Sequence, residues 1–120
     1  MALRVSSFSS HGLAGLQSVI APSDFNNARA VAATTTEDIA VPAGCQTGKG
    51  LVVIAADAFA TCRFDGTAPA AIADDDTGAQ GNPLVPGQAK AYLIPAGCAL
   101  IGIRAGAANA LIVASFYVMS

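Results

Sequence analysis

A chain of 120 residues with 53% hydrophobic residues, 12% charged residues and a formal net charge of −2 is one domain, long enough to bury a real core. Its six basic residues, Arg4, Arg29, Lys49, Arg63, Lys90 and Arg104, are scattered, which excludes the basic patch that direct nucleic-acid binding needs. No apolar run approaches the roughly 20 residues of a membrane span, and the start Met1-Ala2-Leu3-Arg4-Val5-Ser6-Ser7 lacks the continuous apolar stretch of a secretory signal.

Residues 1–30 read as an extended N-terminal arm. Ser6, Ser7, Ser9, Ser10, Gly12 and Gly15 interrupt short apolar pieces, with one short strand expected at Leu16–Ile20; such an arm orders on contact with a neighbour. The strands are expected from there on, so residues 31–120 form the folded domain. Ala28–Thr36 is rich in Val, Ala and Thr and reads as a strand, and Glu37–Val41 alternates weakly. Pro42-Ala43-Gly44 then turns the chain, Pro presetting φ and Gly accepting a positive φ. Gly48-Lys49-Gly50 is a second turn. Leu51–Ala56 is a continuous apolar run of a length that suits a buried strand. Ala58–Phe64 is the next strand, ended by the turn dipeptide Asp65-Gly66. Residues 66–88 hold a long loop punctuated by Pro69, Gly78, Gly81, Pro83, Pro86 and Gly87, with a short strand at Ala70–Ala73. Ala89–Ile94 is a strand with Tyr92 and Ile94 on one face and Leu93 on the other. Ala99–Ala105 and Leu111–Met119 form a hairpin-like pair around Gly106–Asn109. About eight short strands with Gly and Pro turns, and no amphipathic helix, predict an all-β antiparallel sandwich or jelly roll.

One phrase occurs twice. Val41-Pro42-Ala43-Gly44-Cys45 returns as Ile94-Pro95-Ala96-Gly97-Cys98, 53 residues later. The same offset lays Thr61-Cys62-Arg63-Phe64 on Ala114-Ser115-Phe116-Tyr117, so the domain reads as two similar β units.

The surface is the next constraint. Charged residues are about half their usual share, and the core is drawn from 27 alanines with 6% aromatics and no Trp. A surface this poor in charge suits a protein covered by neighbours in an assembly. Three cysteines, Cys45, Cys62 and Cys98, are an odd number and point to a reducing compartment. Cys45 and Cys98 occupy equivalent turns; they could bridge the two units, or all three could be buried inert thiols, the reading favoured.

Catalytic and metal-binding patterns are missing. Asp74-Asp75-Asp76 is the acidic cluster, but its spacing matches no calcium loop and reads as a solvated loop tip. His11 stands alone among Ser and Gly, without a rigid Cys-His or Ser-His arrangement, and the cysteines have no zinc-type spacing. Gly48-Lys49-Gly50 leads into a strand, whereas a phosphate loop opens a helix. The expectation is a protein that is not an enzyme, with no catalytic, cofactor-binding or metal-binding residues and no cofactor. Scarce aromatics argue against a glycan-binding module.

The stretch Arg63-Phe64-Asp65-Gly66-Thr67-Ala68-Pro69, followed by a Gly/Pro loop and then by Ala91-Tyr92-Leu93-Ile94-Pro95-Ala96-Gly97, resembles small virion proteins of tailed bacteriophages, of the capsid cement or decoration type with jelly-roll folds. The resemblance covers roughly residues 34–118. It implies a structural, noncatalytic role: made in the host cytoplasm, placed on the capsid surface of the virion, bound to the major capsid protein and stabilising the head. Self-association as a dimer or trimer would match capsid symmetry. The arm 1–30 and the loop 66–88 are expected to carry the contacts, without direct nucleic-acid or membrane binding. Alternatives are another phage virion part (tail, neck or fibre-associated protein) or a noncatalytic ligand-binding β module.

Overall fold

The computed structural model describes Ser23, residues 25–71 and residues 77–119. The expected strand at Leu16–Ile20, His11 and Asp74-Asp75-Asp76 lie outside the described residues. Eight strands follow in order: β1 (Phe25–Val31), β2 (Thr36–Ala40), β3 (Gly50–Ala56), β4 (Ala60–Arg63), β5 (Asn82–Leu84), β6 (Lys90–Ile94), β7 (Leu100–Ala105) and β8 (Ala110–Val118). A single 3-10 turn, Ala43–Cys45, follows β2.

The pairing is nested. β1 pairs with β8, β2 with β7, β3 with β6 and β4 with β5, all antiparallel. The chain is therefore one long hairpin whose tip is the β4–β5 loop. Rolling that hairpin brings β8 onto β3 and β7 onto β4 and produces two four-stranded sheets, β1-β8-β3-β6 and β2-β7-β4-β5. This is a jelly roll. Moving each strand four places along the chain turns the first order into β5-β4-β7-β2, the second sheet read backwards. The 53-residue repeat follows the same relation, because its two phrases leave β2 and β6.

Between the sheets, Val52, Ile54, Ile94, Ile112 and Phe116 of the first face Ile39, Ala60, Cys62, Ile101 and Ile103 of the second, all buried. Each large apolar side chain contributes about 1.5–3 kcal/mol by leaving water. The alternation is cleanest in β3 and β8, where every second residue is buried over most of the strand. At the open side beyond β6, Tyr92 meets Phe64, their ring centroids 5.3 Å apart and the rings tilted by 48°.

The edges of both sheets are guarded. Arg29 of β1, Glu37 of β2 and Lys90 of β6 occupy positions in the same phase as core residues of their strands. Inward-phase charges on edge strands oppose pairing with foreign strands. Asn27 and Arg29 also cross to β2, donating to the carbonyl oxygens of Ala40 (3.0 Å) and Asp38 (3.1 Å). β5 is three residues long and contains Pro83, which removes a ladder donor.

Several expectations need correction. The sandwich begins at Phe25, inside the stretch read as arm 1–30: β1 pairs with β8 from Phe25↔Phe116 to Val31↔Ala110. Its sequence, Phe-Asn-Asn-Ala-Arg-Ala-Val, hides it because an edge strand buries little; only Val31 is buried. The expected strand Ala28–Thr36 is two strands broken by a turn at residues 32–35, where Thr35 N–H donates to the Ala32 carbonyl (3.0 Å). β7 and β8 are not a hairpin; they lie in different sheets. β5 lies inside the stretch read as loop 66–88, and Ala70 and Ala71 form no strand.

The repeated phrase makes the corner where the ribbon changes sheet. Cys45 N–H donates to the Pro42 carbonyl (2.9 Å) and Cys98 N–H to the Pro95 carbonyl (3.1 Å), so both copies close a four-residue turn with the same bond and Pro as its first residue. Only Gly97 takes a positive φ, +82°; Gly44 does not. The copies are bonded together, Gly97 N–H to Gln46 O (2.8 Å) and Val41 N–H to Ala99 O (2.9 Å). The 3-10 turn folds tightly over the start of β3, where a Cβ on Gly50 would stand 2.2 Å from the Cys45 carbonyl oxygen. Gly50→Ala is therefore expected to destabilise the protein by about 3 kcal/mol, at the upper end of overpacking costs. The midpoint of urea unfolding measures this, and an unchanged midpoint contradicts the corner geometry.

Candidate functional site

The two outer faces of the sandwich differ. On the sheet β2-β7-β4-β5, residues 67–70 of the β4–β5 loop lie across Gly102 of β7. A Cβ there would meet Thr67 O at 3.0 Å and Ala68 Cα at 3.2 Å. Pro69 is fully buried, its carbonyl accepts from Arg104 Nη1 at 3.4 Å, and Ala70 N–H donates to Ala79 O at 2.8 Å. Thr61, on the same outward phase of β4, is buried with its hydroxyl unpaired among the described residues. Part of the loop expected to reach a partner is thus folded down on its own sheet.

The sheet β1-β8-β3-β6 carries no such cover from the described loops. Its outward positions are Asn26, Ala28 and Ala30 of β1, Leu111, Val113, Ser115 and Tyr117 of β8, Leu51, Val53 and Ala55 of β3, and Ala91 and Leu93 of β6. None carries a charge. Leu93 is 62% exposed, Leu111 46% and Val113 41%, whereas Leu51, Val53, Ala55 and Ser115 are half-buried and Tyr117, at the end of β8, is buried. The polar pair on this face is satisfied internally, the Ser115 hydroxyl donating to Asn26 Oδ1 at 2.6 Å.

A cleft of about 800 Å³ opens beside the corner, between residues 63–66 and 78–82 on one side and 95–100 on the other. It unites the two halves of the phrase that carries the virion resemblance, Arg63-Phe64-Asp65-Gly66 and Pro95-Ala96-Gly97. Its charged groups are engaged with each other. Arg63 pairs with the Asp65 carboxylate through Nη2 and donates from Nη1 to Ala79 O at 3.1 Å. Asp65 also accepts from Thr67 N–H at 3.1 Å. The hydrogen bond from Arg63 is the main cause holding the Asp65 carboxyl below its ordinary range. Arg63 therefore fastens the end of β4 to the returning limb of the loop.

The three cysteines are free and buried. Cys45 Sγ donates to the Tyr117 carbonyl at 3.5 Å and Cys98 Sγ to the Leu100 carbonyl at 3.3 Å. Burial raises all three thiols above their ordinary value, that of Cys62 to about 12. A nucleophilic or metal-binding cysteine needs the opposite shift. No group of three metal-ligating side chains occurs among the described residues, and none of their helices is long and apolar enough to cross a membrane. Gly48-Lys49-Gly50 is a turn into β3, Gly48 taking φ +90°, with no helix to receive a phosphate.

Comparison with known proteins finds no matching family model, no matching curated protein and no matching solved structure.

Two outcomes follow from the thiols. A thiol reagent such as Ellman's should titrate none of Cys45, Cys62 and Cys98 rapidly in the native protein and all three in denaturant; rapid reaction of Cys62 in the native state contradicts its burial. The sign of the pH dependence follows from the raised Cys62 value. Below pH 9 both states hold the proton and the contribution is intact. Between pH 9 and about 12 the unfolded chain releases the proton while the folded chain keeps it. Stability then falls by on the order of 1 kcal/mol per pH unit through Cys62. Cys62→Ala should flatten that alkaline limb, measured by urea unfolding at pH 8 and pH 10.

Proposed function

We propose that this protein is a noncatalytic structural component of a virion: a capsid cement protein that binds the major capsid protein from the outside and stabilises the head. The observation that carries the proposal is the uncharged outer face of the sheet β1-β8-β3-β6, on which Leu93, Leu111 and Val113 are exposed. An apolar face of that extent marks a part made to be covered in an assembly. The resemblance of the Arg63–Pro69 and Ala91–Gly97 phrases to cement proteins supplies the kind of assembly, and the jelly roll agrees with it.

The chemistry supports the same reading. Arg63 and Asp65 neutralise each other and the thiols are protonated at neutral pH, so the cleft offers shape and backbone groups to a partner surface. Free thiols fit synthesis in a reducing host cytoplasm. Many copies per head supply avidity, so each contact can be weak. On this proposal the protein sits on the capsid surface, self-associates as a dimer or trimer, and meets the capsid through the corner and the exposed part of the β4–β5 loop.

Co-sedimentation with purified empty heads, and separately with purified tails, tests this. The expected result is saturable binding to heads in many copies per particle. Binding to tails alone makes the protein a tail component, and binding to neither removes the virion role.

A further inference from the structure

We propose that the outer face of the sheet β1-β8-β3-β6 docks on the same face of a second copy, giving a two-fold, sheet-to-sheet dimer. This inference stands on the fold and does not depend on the capsid reading.

The first argument is the strand pattern. A strand with one face in water alternates apolar and polar residues; a strand covered on both faces is a continuous apolar run. β3 reads Gly-Leu-Val-Val-Ile-Ala-Ala, and β8 opens Ala-Leu-Ile-Val-Ala. Inside one copy, Val52, Ile54 and Ala56 of β3 are buried, while Leu51, Val53 and Ala55 face outward. The two central strands of this sheet thus carry the composition of strands with two covered faces, and within one copy Tyr117 is the outward residue of β3 and β8 that is buried.

The second argument concerns what can cover the other. The occupant must be uncharged, because no outward position of the sheet carries a charge to pair with. The same face on another copy meets that requirement, and a two-fold contact of a surface with itself closes without leaving a free end. Edge-to-edge association is opposed by Arg29, Glu37, Lys90 and Pro83, so the face is the route left open.

The third argument is area. Four strands spaced about 4.8 Å apart and about seven residues long span roughly 19 by 23 Å. Two such faces bury roughly 900 Å², in the range of weak, reversible association. That size and the polar Asn26–Ser115 pair predict a reversible dimer with micromolar affinity.

Sedimentation equilibrium of the full chain, without heads, is the test. The average mass is expected to rise from the single-chain 11.9 kDa towards twice that value between about 1 and 200 µM. Val53 lies near the centre of the face, opposite Ser115 and Ala91. Val53→Lys should shift the dimerisation midpoint upward more than tenfold with the far-UV circular dichroism unchanged, and an equimolar mixture with Val53→Asp should recover the dimer. Leu93→Lys is the second variant, on a more exposed site. A wild-type chain that keeps its single-chain mass at about 200 µM overturns the proposal, whether residues 1–22 or another protein then takes the face. Dimerisation undiminished in both lysine variants overturns it too. A monomer that still binds heads refutes the dimer alone; a dimer that binds no heads refutes the capsid role alone.

Discussion

Everything in this molecule hangs on the corner where the folded ribbon passes from one sheet to the other. Four antiparallel pairs are nested, so two chain segments must turn together at each crossing. At this corner the segments are the two copies of Pro-Ala-Gly-Cys. Each closes with a Pro carbonyl accepting from the Cys N–H, and each is bonded to the other through Gly97 N–H and Gln46 O. Each also drives a buried thiol inward, Cys45 and Cys98. Small residues are required because the turn sits against Gly50, where even a methyl group collides with the Cys45 carbonyl. If this crossing failed, β2 could not pair with β7 while β3 paired with β6, and the ribbon would stay unrolled.

The corner also explains why the repeat is visible in the sequence while the strands around it have diverged. Equivalent strands of the two units hold the same places in their sheets, β1 and β5 or β2 and β6 at edges, β3 and β7 or β4 and β8 in the centre, but residues 67–70 lie across Gly102 on only one of the two outer faces. Side chains there answer to different neighbours. The two turns differ at their glycines, but both close with the same hydrogen bond from the Cys N–H to the Pro carbonyl, and Pro and Cys recur at that spacing.

Legibility in the sequence followed burial and turn chemistry. β3, β6 and β7 stood out because apolar runs end at Gly or Pro. β1 was hidden because an edge strand needs few apolar residues. The β1–β2 turn was hidden because Ala32-Ala33-Thr34-Thr35 contains no turn residue; Thr34 adopts φ +62°, a conformation usually left to Gly or Asn. β5 was hidden by its length of three residues and its Pro83. The partition of β7 and β8 between sheets is a long-range fact: Gly106–Asn109 looks like a hairpin turn, yet Asn109 Oδ1 accepts from Ala33 N–H (2.9 Å) and Gly106 N–H donates to Phe59 O (2.9 Å), contacts that local pattern cannot reveal. Of the candidate surfaces, low charge was legible, but the face on which its absence concentrates was not, because that depends on register.

The inequality of the two outer faces is the central claim: the centre of one sheet, at Gly102 and Thr61, is covered by its own loop around Pro69, and we propose that the other is completed by association. Hydroxyl-radical footprinting read by mass spectrometry, at increasing concentrations of the full chain, measures this most directly. Phe59 and Val85, exposed outside that face, serve as internal controls. The account predicts that Leu93 and Leu111 lose reactivity as concentration rises while Phe59 and Val85 keep theirs. Leu93 and Leu111 remaining as reactive as the controls at every concentration would contradict it.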